Sequence, residues 1–203
     1  LSEMEDGSFR EDYNYAIGHK EVPGSTFKLA SLMAALEDGL IDINNKVNAV
    51  GSYSFPGKTY TDAHGGPGWI TIEQAFEKSS NVISKVITNA YRYNPMSFYE
   101  RLESFGLTKR TGIALSGEPK PTMYKPGTDQ WHRLSLPSMA IGYEVQQTPL
   151  QTLTFYNSVA NNGTMVKPQL VYQIRRGAEV IKTFGPSVLI EQVCSDETLR
   201  KLR

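Results

Sequence analysis

The chain has 203 residues, with 21 basic and 21 acidic side chains, so its formal charge is zero. That balance, with no basic cluster beyond Arg175-Arg176, argues against a nucleic-acid binder. No apolar run is long enough to cross a bilayer, and the single cysteine, Cys194, leaves no intrachain disulfide.

Residues 1–22 are polar without a sustained period and read as loop or extended chain. The spacing of Leu29, Leu32, Met33 and Leu36 predicts a helix over 25–38, and Gly39 suits its end. Alanines at 30, 34 and 35 make it apolar on most sides, as expected of a central helix. The Gly-, Asn- and Pro-rich stretch 44–68 reads as a long structured loop. Thr71 and Gln74 form a capping-box pattern for a short helix to about Lys78. A helix over 81–92 buries Val82, Ile83, Val86 and Ile87, and Asn94-Pro95 opens another that Gly106 ends. Residues 108–136 are loop-like. Thr148-Pro149 with Gln151 opens a helix closed by Asn161-Asn162-Gly163. Residues 169–174 and 179–182 read as two strands about a turn at Arg176-Gly177. Cys194 reads as buried, and a last helix starts near Ser195. The long loops lie between helices that need a common core, so no domain boundary is expected.

Two short segments carry chemistry. Ser25 stands three residues before Lys28, directly after Pro23-Gly24, so the hydroxyl and the amine share one helix face. A serine hydroxyl is a poor nucleophile until a base takes its proton, and burial lowers a lysine's pKa far enough to make it one. At a helix start, free backbone N–H groups also favour developing negative charge. Ser79-Ser80-Asn81 falls between two predicted helices, where a hydroxyl and a carboxamide two apart can point into one cleft. Each segment alone reads more simply as a helix cap beside a solvated side chain.

Together they form two of the three elements, S-x-x-K and S-x-N, that penicillin-binding proteins and serine β-lactamases share. The chain resembles the transpeptidase domain of class B penicillin-binding proteins over nearly its whole length. The resemblance rests on Glu21-Val22-Pro23-Gly24-Ser25-Thr26-Phe27-Lys28 and, about fifty residues later, Lys78-Ser79-Ser80-Asn81-Val82. It continues through Ile141-Gly142-Tyr143, Gln147-Thr148-Pro149-Leu150-Gln151, Ala160-Asn161-Asn162-Gly163 and Val166-Lys167-Pro168. It implies an α/β fold with a central antiparallel sheet, of which 1–203 would hold mostly the helical part, ending before the strand that bears K-T-G. It implies Ser25 as nucleophile, Lys28 as base, Ser79 as proton relay and Asn81 as the group orienting lysine and substrate. The implied partners are peptidoglycan stem peptides ending in D-Ala-D-Ala, β-lactams and the cell-wall synthesis machinery. The implied place is the extracytoplasmic, periplasmic face of the bacterial inner membrane, through an N-terminal anchor outside these residues. No cofactor is implied. A chain that lacks an initiator methionine and stops within a helix reads as an internal piece, expected to be inactive by itself.

Other features weigh less. Gly57-Lys58-Thr59-Tyr60 precedes Ser79 in a Gly/Pro-rich stretch and reads as a solvated loop lysine rather than the third element. His19, His64 and His132 lack metal-ligand spacing, and Asp62-Ala63-His64 reads as loop hydrogen bonding. Trp69, Trp131 and Tyr143 could line a peptide groove, but aromatic core packing is the default expectation. Two alternatives stand beside the transpeptidase: a serine β-lactamase or penicillin sensor, and a non-catalytic helical interaction module. The β-lactamase needs a positioned glutamate, for which Glu118 is the nearest candidate.

Overall fold

The computed structural model describes residues 2–10 and 12–203; Leu1 and Glu11, assigned above to the N-terminal loop, lie outside the described residues. The N-terminal stretch holds a short hairpin, β1 (Ser2–Glu3) with β2 (Phe9–Arg10), and one helical turn, α1 (Tyr15–Gly18). The expected central helix divides in two. Residues Gly24–Phe27 form a 3-10 turn, and α2 runs Lys28–Glu37. Gly24 has φ +55, so the chain enters the helix from a left-handed residue and its first turn is tight.

The stretch 44–68 is not a loop. It contains β3 (Lys46–Ala49), β4 (Ser52–Phe55) and β5 (Lys58–Thr61), and β6 (Gly68–Thr71) follows. β4 and β5 pair in register from Tyr53↔Tyr60 to Phe55↔Lys58. The two residues between them are Pro56 and Gly57, and Gly57 has φ +94. That is the Pro-then-glycine sequence of a type II turn. Tyr53 and Tyr60 alternate with exposed polar neighbours and are both buried. Four-residue strands give too short a pattern to outweigh the glycines and prolines around them.

The helices follow the local signals more closely. Helix α3 (Ile72–Glu77) begins with the Thr71–Gln74 capping box, α4 spans Val82–Tyr91, and α5 spans Pro95–Ser104. Asn94 caps α5 through its backbone carbonyl, which accepts from Ser97, and not through its side chain. After the irregular 108–134 segment, which holds β7 (Thr122–Met123), come α6 (Ser135–Met139), β8 (Val145–Gln146) and α7 (Pro149–Ala160). Helix α7 carries the second capping box, Thr148 with Gln151. The chain ends with β9 (Met165–Val166), β10 (Gln173–Arg176), β11 (Glu179–Thr183), β12 (Val188–Ile190) and α8 (Asp196–Leu202). Among the described residues every sheet is two-stranded.

The main core gathers around α2. Leu32, Met33, Ala34 and Ala35 are fully buried against Ile83, Ile87, Phe98, Leu102 and Met139. Burying each such large side chain contributes about 1.5–3 kcal/mol, so α2 is held on all sides and its first residues have little freedom. At its far end, the Asp38 carboxylate accepts from Tyr91 (2.7 Å) and from Arg101, tying α2 to α4 and α5. A smaller cluster of Ala49, Tyr53, Ile70, Ala75 and Val82 anchors the β4–β5 hairpin to the start of α4. Cys194 is buried as expected, and burial pushes its thiol up to about 12.

Candidate active site

The site forms where three chain reversals meet. The first is the 3-10 turn that carries Ser25. Phe27 anchors it in the core, the Tyr156 hydroxyl donates to the Thr26 carbonyl (2.8 Å), and the Lys28 N–H bonds the Ser25 carbonyl. Gly142 braces its other side. A Cβ at Gly142 would lie 2.1 Å from the Gly24 oxygen, so only glycine admits this contact. The Ser25 side chain is exposed and, among the described residues, its hydroxyl has no hydrogen-bond partner.

The second reversal is the end of α3. The Ser79 N–H bonds Phe76 O and the Ser80 N–H bonds Ala75 O, both at 2.8 Å, the paired bonds of a Schellman ending. That ending needs a left-handed residue at position 79, and Ser79 has φ +52. Comparable reversals in this chain, with an N–H reaching back five residues, use Gly39, Gly106, Gly142 and Asn162. A serine here costs about 1–2 kcal/mol relative to an unstrained backbone. The turn points the Ser79 carbonyl and hydroxyl at Lys28.

Lys28 is 1 % exposed, and its amine donates to Ser79 O (2.5 Å) and Ser79 Oγ (3.3 Å). Burial lowers its pKa from 10.5 to about 8, partly opposed by the negative charge of Asp62. At pH 7 roughly a tenth of such amines are neutral and able to accept a proton.

The third reversal follows β5. Asp62 accepts from the Asn81 N–H at one oxygen (2.6 Å). Its other oxygen accepts from Ser80 Oγ (2.6 Å) and from the Tyr53 hydroxyl (3.1 Å). The Asn81 carboxamide donates to Thr61 O (3.1 Å) rather than touching Lys28. Asn81 and the residues of β5 line one wall of a cleft of about 470 Å³. Ser138, Tyr143 and Glu144 complete the lining; Ser138 shares a hydrogen bond with the Tyr60 hydroxyl (2.6 Å), and Tyr143 stacks on Tyr60 with ring centres 6.4 Å apart.

The structure therefore brings Lys28 and Ser79 into contact, sets Asn81 on the cleft wall and leaves the Ser25 hydroxyl unengaged. Several sequence expectations are corrected. Lys58 is on a strand that lines the cleft, not in a loop. Trp69 and Tyr143 are exposed, at 70 % and 51 %; only Trp131 packs partly against the core. Asp62, expected to hydrogen-bond within its loop beside His64, instead accepts from Ser80 and Asn81, 18 and 19 residues on, and from Tyr53, 9 residues back. Only the alternation of Tyr53 and Tyr60 about Pro56-Gly57 would have pointed to a hairpin placing it there. Glu118, the candidate for a water-activating glutamate, is buried and already accepts from Thr111 N, Gly112 N and Gln151 Nε2. It staples loop to helix. No group of acidic, histidine or cysteine side chains suited to a metal occurs among the described residues.

Fold and site together define an α/β domain with a serine and a buried lysine at its central helix. The family model for the penicillin binding protein transpeptidase domain matches residues 2–203, and the chain belongs to that family. It is 34% identical over 197 residues to penicillin-binding protein PbpB of Mycolicibacterium smegmatis, covering 96% of this chain and 29% of that protein. It is 30% identical over 142 residues to the peptidoglycan D,D-transpeptidase FtsI of Escherichia coli, covering 70% of this chain and 23% of that protein. The chain thus spans less than a third of these curated relatives. Among solved structures, penicillin binding protein 3 of Mycobacterium tuberculosis complexed with aztreonam matches with a TM-score of 0.76 and 30% identity. That match covers 94% of this chain and 42% of the other.

Proposed function

We propose that this chain supplies the nucleophile side of a serine D,D-transpeptidase acting on peptidoglycan. The observation that carries the reading is the Lys28 amine: buried, lowered to about 8, held by Ser79 and one turn from Ser25. In this reading the Ser25 hydroxyl attacks the carbonyl between the two terminal D-alanines of a stem peptide, and Lys28 takes the hydroxyl proton. The proton passes through Ser79 to the leaving D-alanine nitrogen as its C–N bond breaks. The backbone N–H of Ser25 supplies an oxyanion donor, worth about 2.7–4 kcal/mol in comparable sites. Asn81 offers its amide to the substrate backbone along the cleft wall. The amine of a second stem peptide then attacks the ester, closing the cross-link and freeing Ser25. A β-lactam acylates the same hydroxyl through its strained amide.

We read residues 1–203 as part of such a domain, without a Lys-Thr-Gly triplet and with little of the implied central sheet. The larger protein would work in the bacterial envelope, at the extracytoplasmic face of the inner membrane, beside the cell-wall synthesis machinery. By itself the chain would acylate poorly, because nothing in it supplies the third element for the substrate carboxylate. The engaged oxygens of Glu118 argue against the β-lactamase alternative.

The test is mass spectrometry of the larger protein after benzylpenicillin. The expected adduct lies on the peptide containing Ser25, and Ser25→Ala abolishes it. An adduct elsewhere, or labelling retained in Ser25→Ala, refutes the assignment.

A further inference from the structure

We propose that Asp62 is the positioning residue of this site: its carboxylate pins the Ser80 hydroxyl and the Asn81 N–H, and so fixes where Ser79 meets the Lys28 amine. The inference rests on the reading of Lys28 as the base.

Three facts converge on it. First, the 79–81 turn needs an external clamp. Ser79 sits in a left-handed conformation that serine disfavours, so the turn would relax if released. Within its own helix ends it has two backbone bonds, at Phe76 and Ala75. Beyond those, Asp62 makes the charge-assisted bonds, 2.6 Å each to Ser80 and Asn81, beside neutral contacts of Ser80 Oγ with the Tyr53 hydroxyl (3.0 Å) and of the Asn81 carboxamide with Thr61 O (3.1 Å). Second, Asp62 is itself fixed. The Asp62 N–H bonds Gly51 O (2.8 Å), and Tyr53 donates to its carboxylate. The carboxylate is thus set by the hairpin and not by the turn it holds. Third, Asp62 follows directly on β5, whose residues form the cleft wall. A ligand that shifts β5 moves the clamp, so occupancy of the cleft is linked mechanically to the placement of the base.

The electrostatics agree. Asp62 is the charge that opposes the desolvation of Lys28. Of the other ionisable groups packed nearby, Tyr53 leans on the same carboxylate and burial raises its pKa, so it stays neutral. Lys85 on α4 is turned away onto the Ser54 carbonyl (2.9 Å). Arg101 on α5 is paired with Asp38 at the opposite end of α2.

The test uses the 203-residue chain and needs no turnover. Lysine side chains are labelled at Cε, the Lys28 signal is identified by its loss in Lys28→Arg, and its titration is followed by NMR. In Asp62→Asn, which keeps the shape and removes the charge, the Lys28 midpoint is expected to fall by about one pH unit. Hydrogen exchange at the Asn81 amide is expected to speed by about tenfold while Leu32 and Ile87 keep their protection. A purely structural role would move the core amides with Asn81 and leave the midpoint alone. An unchanged midpoint, or equal loss of protection at Leu32, Ile87 and Asn81, overturns the proposal. If Asp62→Asn does not fold, Ser80→Ala removes one of the two pins and keeps the charge. Faster exchange at Asn81 than in the wild type supports the clamp there, and unchanged exchange refutes it. Benzylpenicillin mapping on the larger protein judges Ser25 separately, so the two failures are distinguishable.

Discussion

Burial and Asp62 pull the Lys28 amine in opposite directions, and burial wins. A base must be neutral to act, so acylation of the larger protein should rise about tenfold per pH unit below 8 and level off above it. Lys28→Arg, which cannot lose its proton, should drop the rate by about 10²–10⁴ and remove that dependence. Stopped-flow labelling with a fluorescent penicillin across pH 6–10 reads both, and a flat wild-type profile would contradict the role. The same amine fixes a sign for stability. Between about 8 and 10.5 the unfolded lysine keeps a proton that the folded one has released, so this group makes stability rise with pH. Ser79 offers a second residue-scale prediction. Ser79→Gly relieves the left-handed strain and should stabilise the chain by about 1 kcal/mol, seen as a higher Tm. Losing the hydroxyl should nevertheless slow acylation in the larger protein. A lower Tm would mean that the serine side chain contributes more to folding than its backbone costs.

At the scale of elements, the site depends on the 3-10 turn and the α6 reversal touching through bare backbone. Gly142→Ala places a Cβ inside the Gly24 carbonyl and forces the two apart. A destabilisation of about 1–3 kcal/mol in urea titrations is expected, with loss of Ser25 labelling. Unimpaired labelling would show that the Ser25 turn does not need this brace. How legible these elements were follows from the range of the interactions that make them. The capping boxes at Thr71 and Thr148 join residues three apart, and both helices start where the sequence placed them. The Lys28 face was equally readable, because its burial follows from the apolar pattern of α2. The β4–β5 hairpin was not, since its strands are short and its stability comes from Tyr53 and Tyr60 packing against distant residues. With the hairpin went the cleft wall and the role of Asp62. The exposure of Trp69 and Tyr143 was missed for the same reason: composition marks an aromatic as apolar but cannot say which surface it meets.

At the scale of the whole molecule, the apolar surface is uneven. The core around α2 is closed, but the β10–β11 ribbon exposes Ile174, Val180 and Ile181, with Leu170, Val171 and Tyr172 just before it. A two-stranded ribbon open on both faces is marginal in water. Sedimentation equilibrium should show the chain associating as its concentration rises, and Ile174→Lys with Ile181→Lys should hold it monomeric. Identical behaviour of the two proteins would place the sticky surface elsewhere. The ribbon lies far along the chain from the serine, but another detail bears on every variant of this domain. The shortest bond to the Lys28 amine comes from a main-chain oxygen. No codon change at position 79 can delete that atom. A substitution there can remove the hydroxyl while the amine stays moored, so a comparison of side-chain identities alone would overlook its anchor.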